Sequence, residues 1–161
     1  MTQKAMVMLG TDDHEMQRVR TLLSLLPNKP EQSCLDIGCG DGRITEQLSG
    51  HIVIGCDTDL ASLDAAKSRC GGDRFAFLHR SMFDLYDDNL KKRFDCVVIS
   101  DVLYRENIGD AAVSVRLAVD FVTAPGGTAV LFHRDASCLR LHFNLVHRDV
   151  YEYTAVRLKR E

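Results

Sequence analysis

Three glycines at alternate positions, Gly38, Gly40 and Gly42, follow a short apolar run, Cys34-Leu35-Asp36-Ile37, and precede a segment of helical pattern. Backbone without side chains turns tightly and lets a ligand rest directly on the main chain. In a dinucleotide-binding GxGxxG loop the third glycine would fall at position 43, which is Arg43, a large side chain where close helix–strand packing needs none. The loop therefore favours a nucleoside-type ligand without phosphates over a dinucleotide. A Walker A loop is excluded because no Gly-Lys-Ser/Thr occurs. About 20 residues further on, a second apolar run closes in Gly55-Cys56-Asp57, where an acid can accept hydrogen bonds from both hydroxyls of a ribose. Asp59 is better placed to cap the helix that follows, which leaves Asp57 free for that work. A third group, Ser100-Asp101-Val102-Leu103-Tyr104, ends the strongest apolar run of the chain. Asp101 could orient an amine or act as a base, or equally cap the next segment. Tyr104 could hydrogen-bond a substrate or sit as a half-buried rim aromatic.

The elements that must position these groups alternate. Met16, Val19, Leu22, Leu23 and Leu26 recur at helical spacing behind the caps Asp12 and Asp13, until Pro27 stops the helix. Strands are expected at 34–37, 52–54, 75–78, 94–100 and 128–132, and helices at 43–48, 60–70 and 110–122. Gly71-Gly72 and Pro125-Gly126-Gly127 punctuate the last two helices. Residues 137–145 could form a short helix, and 150–158 alternate as a strand does. Strands alternating with helices imply an α/β fold with parallel pairing, right-handed crossovers and helices on both faces of the sheet.

Composition narrows the function classes. The chain has 161 residues, 45% hydrophobic and 27% charged with only three prolines, which suits one folded domain and argues against disorder. Its net charge of −3 gives no basic field for nucleic-acid phosphates. Basic Arg157, Lys159 and Arg160 alternate with Val156 and Leu158, as the polar face of a strand would. There is no apolar run long enough to span a membrane, and the first ten residues do not read as a signal peptide. The six cysteines, including Cys138, form no CxxC pair and show no metal spacing, which suits a reduced, cytoplasmic protein without a metal.

In LDIGCGDGRI, in GCD at the end of the second strand, in FDCVVISDVLY and in PGGTAVL, residues 12–133 resemble the class I S-adenosylmethionine (SAM)-dependent methyltransferases. The resemblance implies a three-layer Rossmann-like sandwich with a mostly parallel sheet of six or seven strands. It implies one SAM-dependent domain over residues 1–161, with 1–26 as N-terminal helix or lid and 33–161 as core. Carried over residue by residue, Asp36 and the loop Gly38, Cys39, Gly40 and Gly42 would hold the methionine moiety, and Asp57 with Thr58 the ribose side. Ser81 and Met82, with Phe83, would flank the adenine, and Ser100 would sit beside the transferring methyl, next to the catalytic candidates Asp101 and Tyr104. Many members carry an acid where this chain has Ser81; Asp84, three residues on, could substitute in receiving the adenine amino group.

Methyl transfer from a sulfonium needs alignment and, for some acceptors, removal of a proton, but no metal. The Asp-Val-Leu-Tyr signature, behind a helix rich in Arg and Leu, is similar to the nodulation-type N-methyltransferases, which implies a small-molecule acceptor methylated on N or O. The base-methylating Asn/Asp-Pro-Pro-Tyr/Phe motif is absent and no exposed aromatic series supports an RNA platform, so nucleic acid is not expected. No large insertion separates the fourth and fifth strands, so cover over the site would come from residues 1–26, from 105–110 or from another subunit. His14 and Arg18 could meet an anionic substrate, or lie on a solvated helix face. His133 could serve as a base, or be a surface histidine. Protein lysine methylation and a non-catalytic SAM-binding subunit that supports a partner remain the alternatives, and the chain could form a homodimer or pair with a partner subunit.

Overall fold

A computed structural model describes residues 16–17, 19–20, 22–100, 108–133, 144–150 and 153–159. Its centre is a seven-stranded sheet in the order β3-β2-β1-β4-β5-β7-β6. The strands are β1 (Ser33–Ile37), β2 (Ile52–Asp57), β3 (Phe75–His79), β4 (Phe94–Ser100), β5 (Thr123–His133), β6 (Asn144–Val150) and β7 (Tyr153–Lys159). The first five pair in parallel, whereas β7 runs antiparallel to both β5 and β6. The chain crosses over between parallel neighbours through α1 (Leu60–Arg69) and α2 (Ile108–Val122). This is the Rossmann-like architecture expected from the alternation of elements.

Parallel strands at the centre of such a sheet are covered on both faces, so they read as near-continuous apolar runs. β1 is buried at every position, and alternation divides it. Leu35 and Ile37 join Val97, Ile99, Ala129 and Leu131 against Val115, Ala118, Val119 and Val122 of α2. Cys34 joins Val53, Cys96, Val98 and Val130 against Val19 and Leu22 of the N-terminal helical segment, with Ile44 and Leu48. Leu22 is 1% exposed, and burying such a side chain contributes about 2 kcal/mol.

Several local expectations change. Residues 43–48 form no α-helix but a single 3-10 turn, Thr45–Gln47. After one bond from the Glu46 amide to the Gly42 carbonyl oxygen (2.9 Å), the amides of Gln47 and Leu48 bond three residues back, to Ile44 (3.0 Å) and Thr45 (3.2 Å), so the α-helical pattern is not continued. Met16 (52% exposed) and Leu60 (58%) lie outside the core, because packing on the sheet begins at Val19 and at Leu63. β5 starts at Thr123 and absorbs Pro125-Gly126-Gly127 in an irregularity against β4, where Phe94 faces Thr123 but Cys96 faces Thr128. The helix over 137–145 does not extend to its end, since Asn144 and Leu145 belong to β6; residues 137–143 lie outside the described residues. Val150 closes β6 rather than opening β7, because the two strands pair as a hairpin with Val150 opposite Tyr153.

Candidate functional site

β1 and β2 end together, with Ile37 opposite Cys56, so the residues that follow are neighbours. The amides of Gly38 and Cys39 both donate to the Cys56 carbonyl oxygen, at 2.8 and 3.0 Å. The loop then reverses through φ of 72° at Gly38, 54° at Gly40 and 81° at Gly42, a region that glycine adopts without steric cost. Gly42 is also required by packing, since a Cβ there would lie 3.0 Å from Ala66 Cβ and Cys70 Sγ of the α1 end. Gly40 differs. A Cβ there would meet nothing within 4 Å, so this main chain borders open space.

Asp57 links the two strand ends. Its Oδ2 accepts from the Gly40 amide (2.9 Å) and its Oδ1 from the Asp59 amide (2.9 Å). A carboxylate has about four acceptor sites, so capacity for hydroxyl donors remains. Asp59 caps α1 as expected, accepting from the Ser62 amide at 2.9 Å, and the Ser62 hydroxyl (2.6 Å) together with that amide holds its carboxyl below the usual range. Arg69 reaches back from α1 to brace the loop, donating from Nε to the Asp41 carbonyl oxygen at 3.1 Å.

Asp36 lies beneath the loop, 1% exposed. Its Oδ2 accepts from the Thr45 hydroxyl at 2.7 Å, while its Oδ1 is buried without a hydrogen-bond partner. Burial pushes its carboxyl up to about 7, opposed by the Thr45 hydrogen bond and reinforced by the charge of Asp57. Two carboxylates therefore flank a loop whose amides Gly38, Cys39 and Gly40 are already engaged within the protein. The segment after the loop is a 3-10 turn, without the helix N-terminus that stabilises a pyrophosphate. The arrangement suits a nucleoside that carries positive charge and disfavours a phosphate-bearing ligand.

The other expected groups are distributed as follows. Thr58 is exposed, with its carbonyl oxygen 3.0 Å from His79 Nε2. Ser81 caps a 3-10 turn, Met82–Asp84, by accepting from the Phe83 amide (3.1 Å), and its hydroxyl donates to Asp84 Oδ2 at 3.1 Å. Ser81 and Asp84 thus act as one polar unit, and Phe83 stands 60% exposed between them. The Met82 side chain is instead part of the core, 5% exposed. Ser100 is the last residue of β4, opposite Phe132 of β5, at the same carboxyl edge as the glycine loop. Asp101, Tyr104, His14 and Arg18 lie outside the described residues. His133 ends β5.

Burial disfavours the thiolate form of the cysteines beside the loop. Burial pushes Cys39 up, and Cys56 up to about 12. Cys34, Cys39, Cys56, Cys70 and Cys96 are all free and buried. Among the described residues no three His, Cys, Asp or Glu side chains could share a metal ion, and no helix is long and apolar enough to cross a membrane.

Two residues of the site carried no assignment from sequence. Thr45 stands nine positions from Asp36 and becomes its partner only when the loop folds back. Gly55 is required because a Cβ there would lie 2.8 Å from Phe77 Cε1 and 2.9 Å from Cys39 Sγ. Its glycine type is the only signal that a sequence carries for so close an approach.

The model of a methyltransferase-domain family matches residues 34–127. Nodulation protein S of Rhizobium tropici is 29% identical over 135 residues, which cover 81% of this chain and 56% of that protein. Trans-aconitate 2-methyltransferase of Sinorhizobium fredii is 34% identical over 68 residues, covering 40% of this chain and 26% of that one. The chain thus spans about half the length, or less, of these curated relatives. Among solved structures, the N-methyltransferase NodS from Bradyrhizobium japonicum in complex with S-adenosyl-L-homocysteine superposes with a TM-score of 0.72. It is 22% identical, and the match covers 90% of this chain and 86% of that one.

Proposed function

The chain belongs to the methyltransferase-domain family, the class I enzymes that use S-adenosylmethionine, and from that premise we propose that it transfers a methyl group to a nitrogen or oxygen of a small-molecule acceptor. The observation that carries the reading is the open face of Gly40, bordered by the carboxylates of Asp36 and Asp57 at the ends of β1 and β2. Ligands of open α/β sheets bind at the carboxyl ends of the strands, where these groups stand. Asp57 would take the ribose hydroxyls, with Thr58 beside it. Asp36 and the loop from Gly38 to Gly42 would hold the methionine end. Ser81 and Phe83, joined by the main chain of Met82, would flank the adenine, with Asp84 receiving its amino group. When bound, SAM supplies a methyl already activated as a sulfonium. Ser100 would lie beside it, while Asp101 orients the acceptor or removes its proton and Tyr104 positions it. The likeness to nodulation protein S and to the NodS fold favours a small acceptor. The cysteines among the described residues, all free, suit a reducing compartment such as the cytoplasm, and residues 1–161 would act as one domain.

Purified chain incubated with methyl-labelled SAM and cell extract, fractionated into small molecules, protein and RNA, tests this. Label in the small-molecule fraction is the expected result. Label confined to protein or RNA would overturn the acceptor class. SAM bound without any transfer would replace catalysis with a supporting role.

A further inference from the structure

The Asp36–Thr45 pair has a feature that holding the loop in place does not require. Asp36 (1% exposed) and Thr45 (0% exposed) are joined by one hydrogen bond of 2.7 Å that spans the glycine loop. A carboxylate that served only to tie the loop would be expected to have both oxygens engaged, because a buried acceptor without a partner costs stability. Asp36 instead keeps Oδ1 buried and unpartnered. The charge around it is one-sided. The groups that interact with it are Thr45 after the loop, Asp57 and Cys56 on β2, Cys39 in the loop, Cys96 on β4 and Cys70 at the end of α1. Among the described residues they are a hydroxyl, an acid and thiols, and none is a cation.

We propose that Thr45 is a positioning residue. Its hydroxyl holds one oxygen of Asp36 and leaves the other as the buried charge partner of the cofactor's ammonium group, so that cofactor binding and Asp36 ionisation are coupled. The inference rests on the SAM-binding reading above. Without ligand, burial and the neighbouring acid keep the carboxyl protonated up to about pH 7. A bound cation favours the ionised form, so binding releases a proton. Affinity therefore rises with pH up to about 7 and then flattens. Thr45 tunes that midpoint downwards, because its hydrogen bond favours the carboxylate.

Calorimetry of SAM binding at about pH 6, in two buffers of different ionisation enthalpy, counts the protons released. Wild type should release on the order of one, and S-adenosylhomocysteine, which keeps the ammonium, should give the same count. Asp36→Asn sets the baseline, because any proton still exchanged there belongs to the ligand. In Thr45→Val the pH midpoint should move up and affinity at about pH 7 should fall roughly tenfold. Thr45→Ser should restore both, which separates positioning from a packing loss, and circular dichroism confirms that each variant is folded. SAM binding by wild type without proton release, or with an unchanged midpoint in folded Thr45→Val, overturns this inference and leaves the functional reading standing. Proton release with SAM but not with S-adenosylhomocysteine overturns the ammonium as partner. No SAM binding by wild type at all overturns the functional reading itself.

Discussion

The two ends of β1 use the same kinds of residue in opposite ways. At its amino end, Ser33 and Asp95 stitch β1 to β4. The Ser33 amide donates to Asp95 Oδ2 (3.0 Å), the Ser33 hydroxyl to the Arg93 carbonyl oxygen (2.8 Å), and the Asp95 amide to the Ser33 hydroxyl oxygen (3.3 Å). Close by, both protons of the Gln32 amide are spent on the carbonyl oxygens of Pro27 (2.9 Å) and Ser49 (2.8 Å). At its carboxyl end, one oxygen of Asp36 has no partner, Asp57 keeps acceptor capacity, and the main chain at Gly40 faces open space. The bonded groups of the first end hold strands together, with the Gln32 Oε1 left buried and unpartnered among them. Those of the second are held ready by the fold and only partly used by it. Each end keeps one buried oxygen without a partner, and what separates the ligand site from the strand clamp is the open main chain at Gly40 beside it.

Substitutions should divide along the same line, and the largest effect is expected at Gly40. Gly40→Ala places a methyl group where the protein itself offers no obstacle but a ligand would lie. The left-handed φ of 54° adds strain of about 1 kcal/mol, which a folded domain tolerates. SAM binding, read by calorimetry, should weaken by about a hundredfold or more while the thermal unfolding transition stays cooperative. Unchanged binding would place the ligand elsewhere.

Asp57→Ala comes next. Loss of a carboxylate that receives ribose hydroxyls should weaken SAM binding by about 2–3 kcal/mol. Because Asp57 also accepts from the amides of Gly40 and Asp59, denaturant unfolding should show a smaller loss of stability, about 1 kcal/mol. A stability loss as large as the binding loss would make Asp57 a clamp like Asp95 and collapse the contrast between the two ends.

Chemistry rather than binding should respond to Asp101→Asn and Tyr104→Phe. Each should lower turnover by roughly tenfold or more, with SAM affinity within about twofold. Full activity in both would move proton removal to another group, with His133 at the end of β5 the next to test. The smallest effect is expected at the amino end. Ser33→Ala removes one strand clamp and should cost about 1 kcal/mol of stability, with SAM affinity unchanged. A clear loss of affinity there would show that the two ends are energetically linked.

The parallel core was legible because each of its strands contains an apolar run, and β4 matched its expected span, Phe94–Ser100, residue for residue, while the start of β5 at Thr123 was not foreseen. The Asp59 cap was legible for a similar reason, since it depends only on a residue three positions away. The alternation over 150–158 made β7 legible, but its hairpin with β6 was not, because 137–145 reads as a short helix and no spacing along the chain specifies the pairing with β5. Nor was the 3-10 turn after the loop. Ile44 and Leu48 sit at helical spacing, yet the amides of Gln47 and Leu48 bond three residues back rather than four.

Sequence by itself determined the alternating elements, the glycine loop, the acid at the end of β2 and the absence of a third glycine at Arg43, all matters of residue type at short separation. Tertiary structure decided which of those groups are spent and which are left over. Asp36 and Asp57 are both acids at strand ends in the sequence. Folding buries the first under Thr45 with one oxygen unpartnered and ties the second to the Gly40 and Asp59 amides. Hydrogen-bond satisfaction depends on which atoms from distant segments come within about 3 Å, and no spacing along the chain specifies that.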